Sequence, residues 1–206
     1  MKRLLLLAAL ALALPTAVFA GNHVDYTNTG GNLTGSSSGL TLTGSTLIAV
    51  NGLNGLGLVT GPDLGSLSFG TGALLSGSLT ANSCSGGGTG CVIATFASAG
   101  SWFKVTGNGT SGIPNNTLFS GSFQGPVQLF LTGSADGTHT YIVMGSLGTN
   151  SPVSQIVLST GKGYFDGDAT ITSGDTTLVV PEPASLGLLG TGLIGLAGIV
   201  RRKLKA

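Results

Sequence analysis

The chain has 206 residues, of which 37 are glycine, 8 are Lys or Arg and 7 are Asp or Glu. Charged residues make up 7% of it, against about 25% in an average soluble domain, which argues against the highly charged composition of most disordered chains. Once the two ends are set aside, Lys104 and Lys162 face Asp25, Asp63, Asp136, Asp166, Asp168 and Asp175, a net charge of −4. Such a body excludes nucleic acid and acidic lipid as partners, because both are held by clustered Lys and Arg.

Residues 1–20 read as a secretory signal peptide that forms a helix. Lys2 and Arg3 supply the positive start, residues 4–14 the apolar stretch, and Pro15 breaks the helix. Val18 and Ala20 occupy the −3 and −1 positions of a signal-peptidase site, so the mature chain is expected to begin at Gly21.

Residues 21–39 are rich in Gly, Ser and Asn and read as an irregular lead-in. From Leu40 onward, short apolar runs alternate with turn dipeptides. Leu40 and Leu42, then residues 47–50, read as a strand pair closed by Asn51-Gly52 and Asn54-Gly55. Further strands are expected over residues 64–69, 73–79, 92–96, 101–106, 118–123, 127–132, 139–144 and 155–159. Asp136-Gly137 is a hairpin signal between two of these runs, since both residues tolerate positive φ. Strands at this spacing, with few strong helix formers between them, predict an all-β fold: a single antiparallel β-sandwich over residues 40–180. Phe96, Trp102, Phe103, Phe119, Phe123, Phe130, Tyr141 and Ile142 are expected to carry its core.

Cys84 and Cys91 are the only cysteines, and in an exported chain a pair this close reads as a disulfide pinning a loop between strands. Several catalytic patterns occur and carry little weight. Residues 35–39 match G-x-S-x-G without the strand and helix that build a nucleophile elbow. Gly107, Gly109 and Gly112 match G-x-G-x-x-G, as do Gly190, Gly192 and Gly195, matches expected by chance in so glycine-rich a chain. His139 and Asp136, with any of many serines, make a weak triad because His139 falls within a strand. Asp166 and Asp168 would be two ligands of a calcium site that needs six to eight oxygens, and a solvated turn is the plainer reading. No metal, no cofactor and no enzymatic activity are expected.

The specific signal lies at the other end. Pro181, Glu182 and Pro183 precede an apolar run over residues 184–200, and Arg201, Arg202, Lys203 and Lys205 follow it. At 1.5 Å per residue the run is about 25 Å long, the low end of a transmembrane helix, and the basic tail predicts a cytoplasmic C-terminus. The two prolines keep Glu182 in extended chain just outside the bilayer. Gly187, Thr191 and Gly195 form a small-residue stripe suited to close helix packing.

This order of parts, over residues 180–206, resembles the PEP-CTERM sorting signal of Gram-negative-type bacteria. The resemblance implies that an exosortase, an intramembrane transpeptidase, reads Pro181, Glu182 and Pro183 and removes the helix. It also implies a link with exopolysaccharide and biofilm production. The expectation is therefore an exported, non-enzymatic cell-surface or extracellular-matrix protein. Before processing it is held in the membrane, and afterwards it is at the surface or outside the cell. An anchored carbohydrate-binding or adhesive module is the alternative, and a secreted hydrolase comes third.

Overall fold

The computed structural model describes residues 23–79, 91–133, 138–147, 154–162 and 165–179. The expected signal helix at residues 1–20 and transmembrane helix at 184–200 lie outside these. The described body, His23–Val179, is one compact unit. Its strands in chain order are β1 His23–Thr29, β2 Asn32–Ser36, β3 Gly39–Asn51, β4 Val59–Gly70, β5 Leu74–Gly77 and β6 Cys91–Phe96. They continue with β7 Trp102–Gly107, β8 Thr117–Gly121, β9 Val127–Gly133, β10 Thr138–Gly145, β11 Ser154–Lys162 and β12 Asp168–Val179.

The all-β, antiparallel expectation holds: each strand pairs antiparallel with its neighbours. The two separate sheets of a sandwich are not what forms. The strands make one sheet in the order β5-β6-β9-β10-β11-β12-β1-β3-β4-β7-β8, with β2 bridging β12 and β3 off that path.

This sheet has to curl. Strands β4 and β5 lie far apart in the sheet order, yet only residues 71–73 join them. That short link is stitched to both sides. Thr71 N donates to Leu40 O at 2.9 Å, Gly72 N to Ala97 O at 2.7 Å, and Leu74 N to Ser37 O at 3.0 Å. Residues 97–101 make a second such crossing from β6 to β7, and residues 122–126 a third from β8 to β9. Phe123 fastens the third, bridging to Leu147 and donating its N–H to Ser101 Oγ at 3.0 Å. One face of the sheet is thereby folded inward, and side chains from both of its halves share a single core.

Alternation with period two explains which residues enter that core. In β1, Val24, Tyr26 and Asn28 are buried while Asp25 and Thr27 are not. Phe69 and Phe103, cross-strand partners, stack with centroids 6.5 Å apart. Phe119 meets Phe103 edge-on at 5.8 Å. Tyr141 meets Phe165 in the same way at 5.9 Å, and its hydroxyl accepts the Phe165 N–H at 2.6 Å.

Three sequence expectations are corrected here. The lead-in contains β1 and β2, so sheet is already present at His23, well before Leu40. The strand pair over residues 40–50 is one long strand, β3, whose register with β4 shifts between Leu42 and Ser45 around Gly44 at φ 68°. The core list was right for Phe96, Phe103, Phe123 and Tyr141. Trp102 is 40% exposed, and Phe119, Phe130 and Ile142 are only half-buried. Trp102, Phe130 and Ile142 each neighbour an inward-facing residue, so the pleat turns them outward.

Candidate functional site

Most of the sequence-predicted site residues fall outside the described residues. These are the sorting residues Pro181, Glu182 and Pro183, the basic tail Arg201, Arg202, Lys203 and Lys205, the cleavage-site residues Val18 and Ala20, and Cys84. Cys91 is described: it opens β6, packs half-buried against the core, and is not a free thiol.

The patterns with weak catalytic readings take ordinary structural places. Residues 35–39 form the tip of the β2–β3 hairpin, where Ser36 Oγ accepts the Ser38 N–H at 3.1 Å. Strand leads to strand there, and a nucleophile elbow requires a helix after the turn. Gly107 and Gly109 lie where β7 runs into the loop before β8, and Gly112 lies farther along that loop. Asn108 Nδ2 and Thr110 Oγ1 pin it by donating to Asp63 O, each at 3.0 Å. His139 sits half-buried within β10, opposite Gly133 and Thr160, while Asp136 lies outside the described residues. Asp166 is exposed in a turn, and Asp168 opens β12 opposite Thr34. Among the described residues no group of three or more His, Cys, Asp or Glu is placed to hold a metal ion.

The geometry brings together something the sequence did not. Trp102 pairs with Gly70, Gly70 with Thr41, Thr41 with Thr34, and Thr34 with Asp168. These five make one cross-strand row on the outer face of β7, β4, β3, β2 and β12. Gly70 is what lets the indole lie down on the sheet: a Cβ there would approach Trp102 Nε1 to 2.6 Å and Cε2 to 3.0 Å. Beside the row, a depression of about 150 Å³ is lined by Thr34, Gly35, Ser36, Ser38, Gly39 and Thr41. A half-exposed aromatic plane next to several hydroxyls presents an apolar face and both donors and acceptors, without a charge at its centre. Sequence reading missed this patch by assigning Trp102 to the core. The signal available was parity, since adjacent Trp102 and Phe103 cannot both face inward on one strand.

Comparison with known proteins bears on the C-terminal segment alone. Residues 179–203 match the family model described as the PEP-CTERM protein-sorting motif, as the order of Pro181-Glu182-Pro183, apolar run and basic tail implied. No curated protein and no solved structure matches the chain.

Proposed function

We propose that this bearer of a PEP-CTERM motif is an exported surface or matrix protein. Its β body is displayed outside the cell, and an exosortase processes its tail. The observation that carries the reading is where the motif begins. The match starts at residue 179, where β12 ends at Val179, so folded body and sorting segment abut without a linker domain. In this reading residues 1–20 direct export and residues 184–200 hold the chain in the membrane until Pro181-Glu182-Pro183 is read. The body acts by binding or scaffolding, as part of an exopolysaccharide-rich matrix, and not as an enzyme. A Cys84–Cys91 disulfide braces it after export. Intact-mass analysis of the protein recovered from its native host tests the whole sequence of events. The expected mass lacks residues 1–20 and everything beyond the sorting motif. A mature protein that retains residues 184–206 overturns processing and leaves a permanent anchor.

The row ending in Trp102 favours a second reading, an adhesive module for neutral polysaccharide. Sugars stack their apolar faces on aromatic planes and exchange hydrogen bonds with hydroxyls such as those of Thr34 and Thr41. Electrophoresis through gels containing the host's own exopolysaccharide is the check. The native chain should be retarded and Trp102→Ala should run freely, and equal mobility of the two removes this reading.

A further inference from the structure

The loop between β3 and β4 is unlike the rest of the described surface. Its residues 52–58 include three leucines and no charged group, and no charge occurs anywhere from Asn51 to Pro62. Leu53 turns into the core, and the loop closes on itself through Leu56 N donating to Leu53 O at 2.8 Å and Gly52 N to Leu56 O at 3.1 Å. Leu56 and Leu58 remain exposed. Leu56 is 40% exposed, and Leu58, at 68%, is the most exposed large apolar side chain among the described residues.

The position of this loop is fixed by strand register. Asn51, at the end of β3, pairs with Asp25, and His23, at the start of β1, pairs with Val179 at the end of β12. The two leucines therefore sit at the end of the sheet from which the chain leaves toward its C-terminal segment. From Val179 to Ala184, the first residue of the apolar run, is a reach of at most about 18 Å even when fully extended. If that run is embedded, chain connectivity holds this end of the sheet close to the bilayer surface.

We propose that the β3–β4 loop is a membrane-contacting tip, with Leu56 and Leu58 inserted at the boundary between headgroups and acyl chains while the tail is anchored. The proposal rests on the anchored state described above. Two leucines bind lipid weakly on their own. Tethering changes this, because a short link turns contact into an intramolecular event at high effective concentration. The body carries a net charge of −4 and has no basic cluster, so its attraction to lipid at this end is apolar and independent of salt. At this end His23 Nε2 lies 3.8 Å from Asp25 Oδ2.

Trp102 supplies an internal control. It is the only tryptophan, and it pairs with Gly70 at the far end of β4, roughly 27 Å along the β3–β4 ladder from Val59. The full chain is reconstituted into phosphatidylcholine vesicles as the native sequence and as Leu58→Trp in a Trp102→Phe background. A third form carries Leu58→Trp with Trp102 retained, in case the double change disturbs folding. Emission from position 58 should be blue-shifted, quenched by lipids carrying a quencher near the headgroup, and shielded from aqueous iodide. Trp102 should show the reverse, and raising the salt should change neither. If the chain floats with the vesicles but position 58 answers only to iodide, the contact does not exist although the anchor does. A chain that does not float overturns the anchor and the contact together. Shielding that appears only in membranes containing the host's processing enzyme assigns the leucines to a protein partner and overturns the lipid contact.

Discussion

Two buried tyrosines differ in what they do for a body with few charges, and one of them, Tyr26, gives it a pH dependence. Tyr141 is fully buried and spends its hydroxyl on the Phe165 N–H, which holds the segment before β12 against β10. Tyr26 lies at the centre of β1, 1% exposed, opposite the buried Thr176 and Val50. Burial penalises the phenolate and pushes its pKa from 10.0 up to about 12. The sign follows from linkage. Below pH 10 the tyrosine is neutral in both states, and its contribution to stability is fully present. Above pH 10 the unfolded chain releases the proton first, so stability falls as pH rises through about 12. Over that window the native chain should lose about 2–3 kcal/mol more than Tyr26→Phe, which has no proton to release. Urea unfolding of both proteins at a series of pH values checks this. Parallel curves would mean that the phenolate finds water in the folded state.

At the level of elements, sequence reading succeeded where apolar residues cluster and failed where only alternation marks a strand. β6, β9 and β10 were legible because Val92-Ile93, residues 129–131 and residues 141–144 are apolar runs. β1 and β12 were missed. β1 offers only Val24 and Tyr26, and the rest of its buried face is Asn28, held by its Nδ2 donating to Ser45 Oγ at 2.6 Å. β12 places Gly174 and Thr176 between Ile171 and Leu178 on its inner face, so half of its inward positions look polar. Parity within β7 could have turned Trp102 outward, but its alignment with Thr41, Thr34 and Asp168 depends on register across five strands, which no local pattern encodes. The loop between β5 and β6 gives the prediction at this scale. A Cys84–Cys91 bridge would close a short loop against the start of β6, where Cys91 packs beside the core. Reduction, or Cys84→Ser with Cys91→Ser, should lower stability by about 2–3 kcal/mol in the chain-entropy model. Equal denaturation midpoints with and without reductant would show that no such brace exists.

For the whole molecule, chemistry is divided unevenly along the chain. The folded body holds few charges, and most basic residues lie outside it, at the two ends. Glu182 is the only acidic residue near the C-terminal apolar run, and it lies within the segment that matches the sorting motif. Pro181 and Pro183 flank it in the sequence, and proline disfavours helix because it lacks an N–H and restricts the residue before it. In the proposed reading, the Glu182 carboxylate would make a charge-assisted hydrogen bond to an Arg or Lys of the processing enzyme, stronger than a neutral contact. Glu182→Gln preserves the shape and removes the charge, so it separates electrostatic recognition from backbone geometry. The apolar run is unchanged in the mutant, and a plain anchor therefore predicts identical behaviour. Recognition through the carboxylate predicts that Glu182→Gln accumulates in the membrane at its unprocessed mass while the native chain is released. The comparison is made in the native host, where the enzyme is present, by fractionation and intact mass of both proteins. Equal release at the same mature mass would show that the enzyme does not recognise the charge of Glu182.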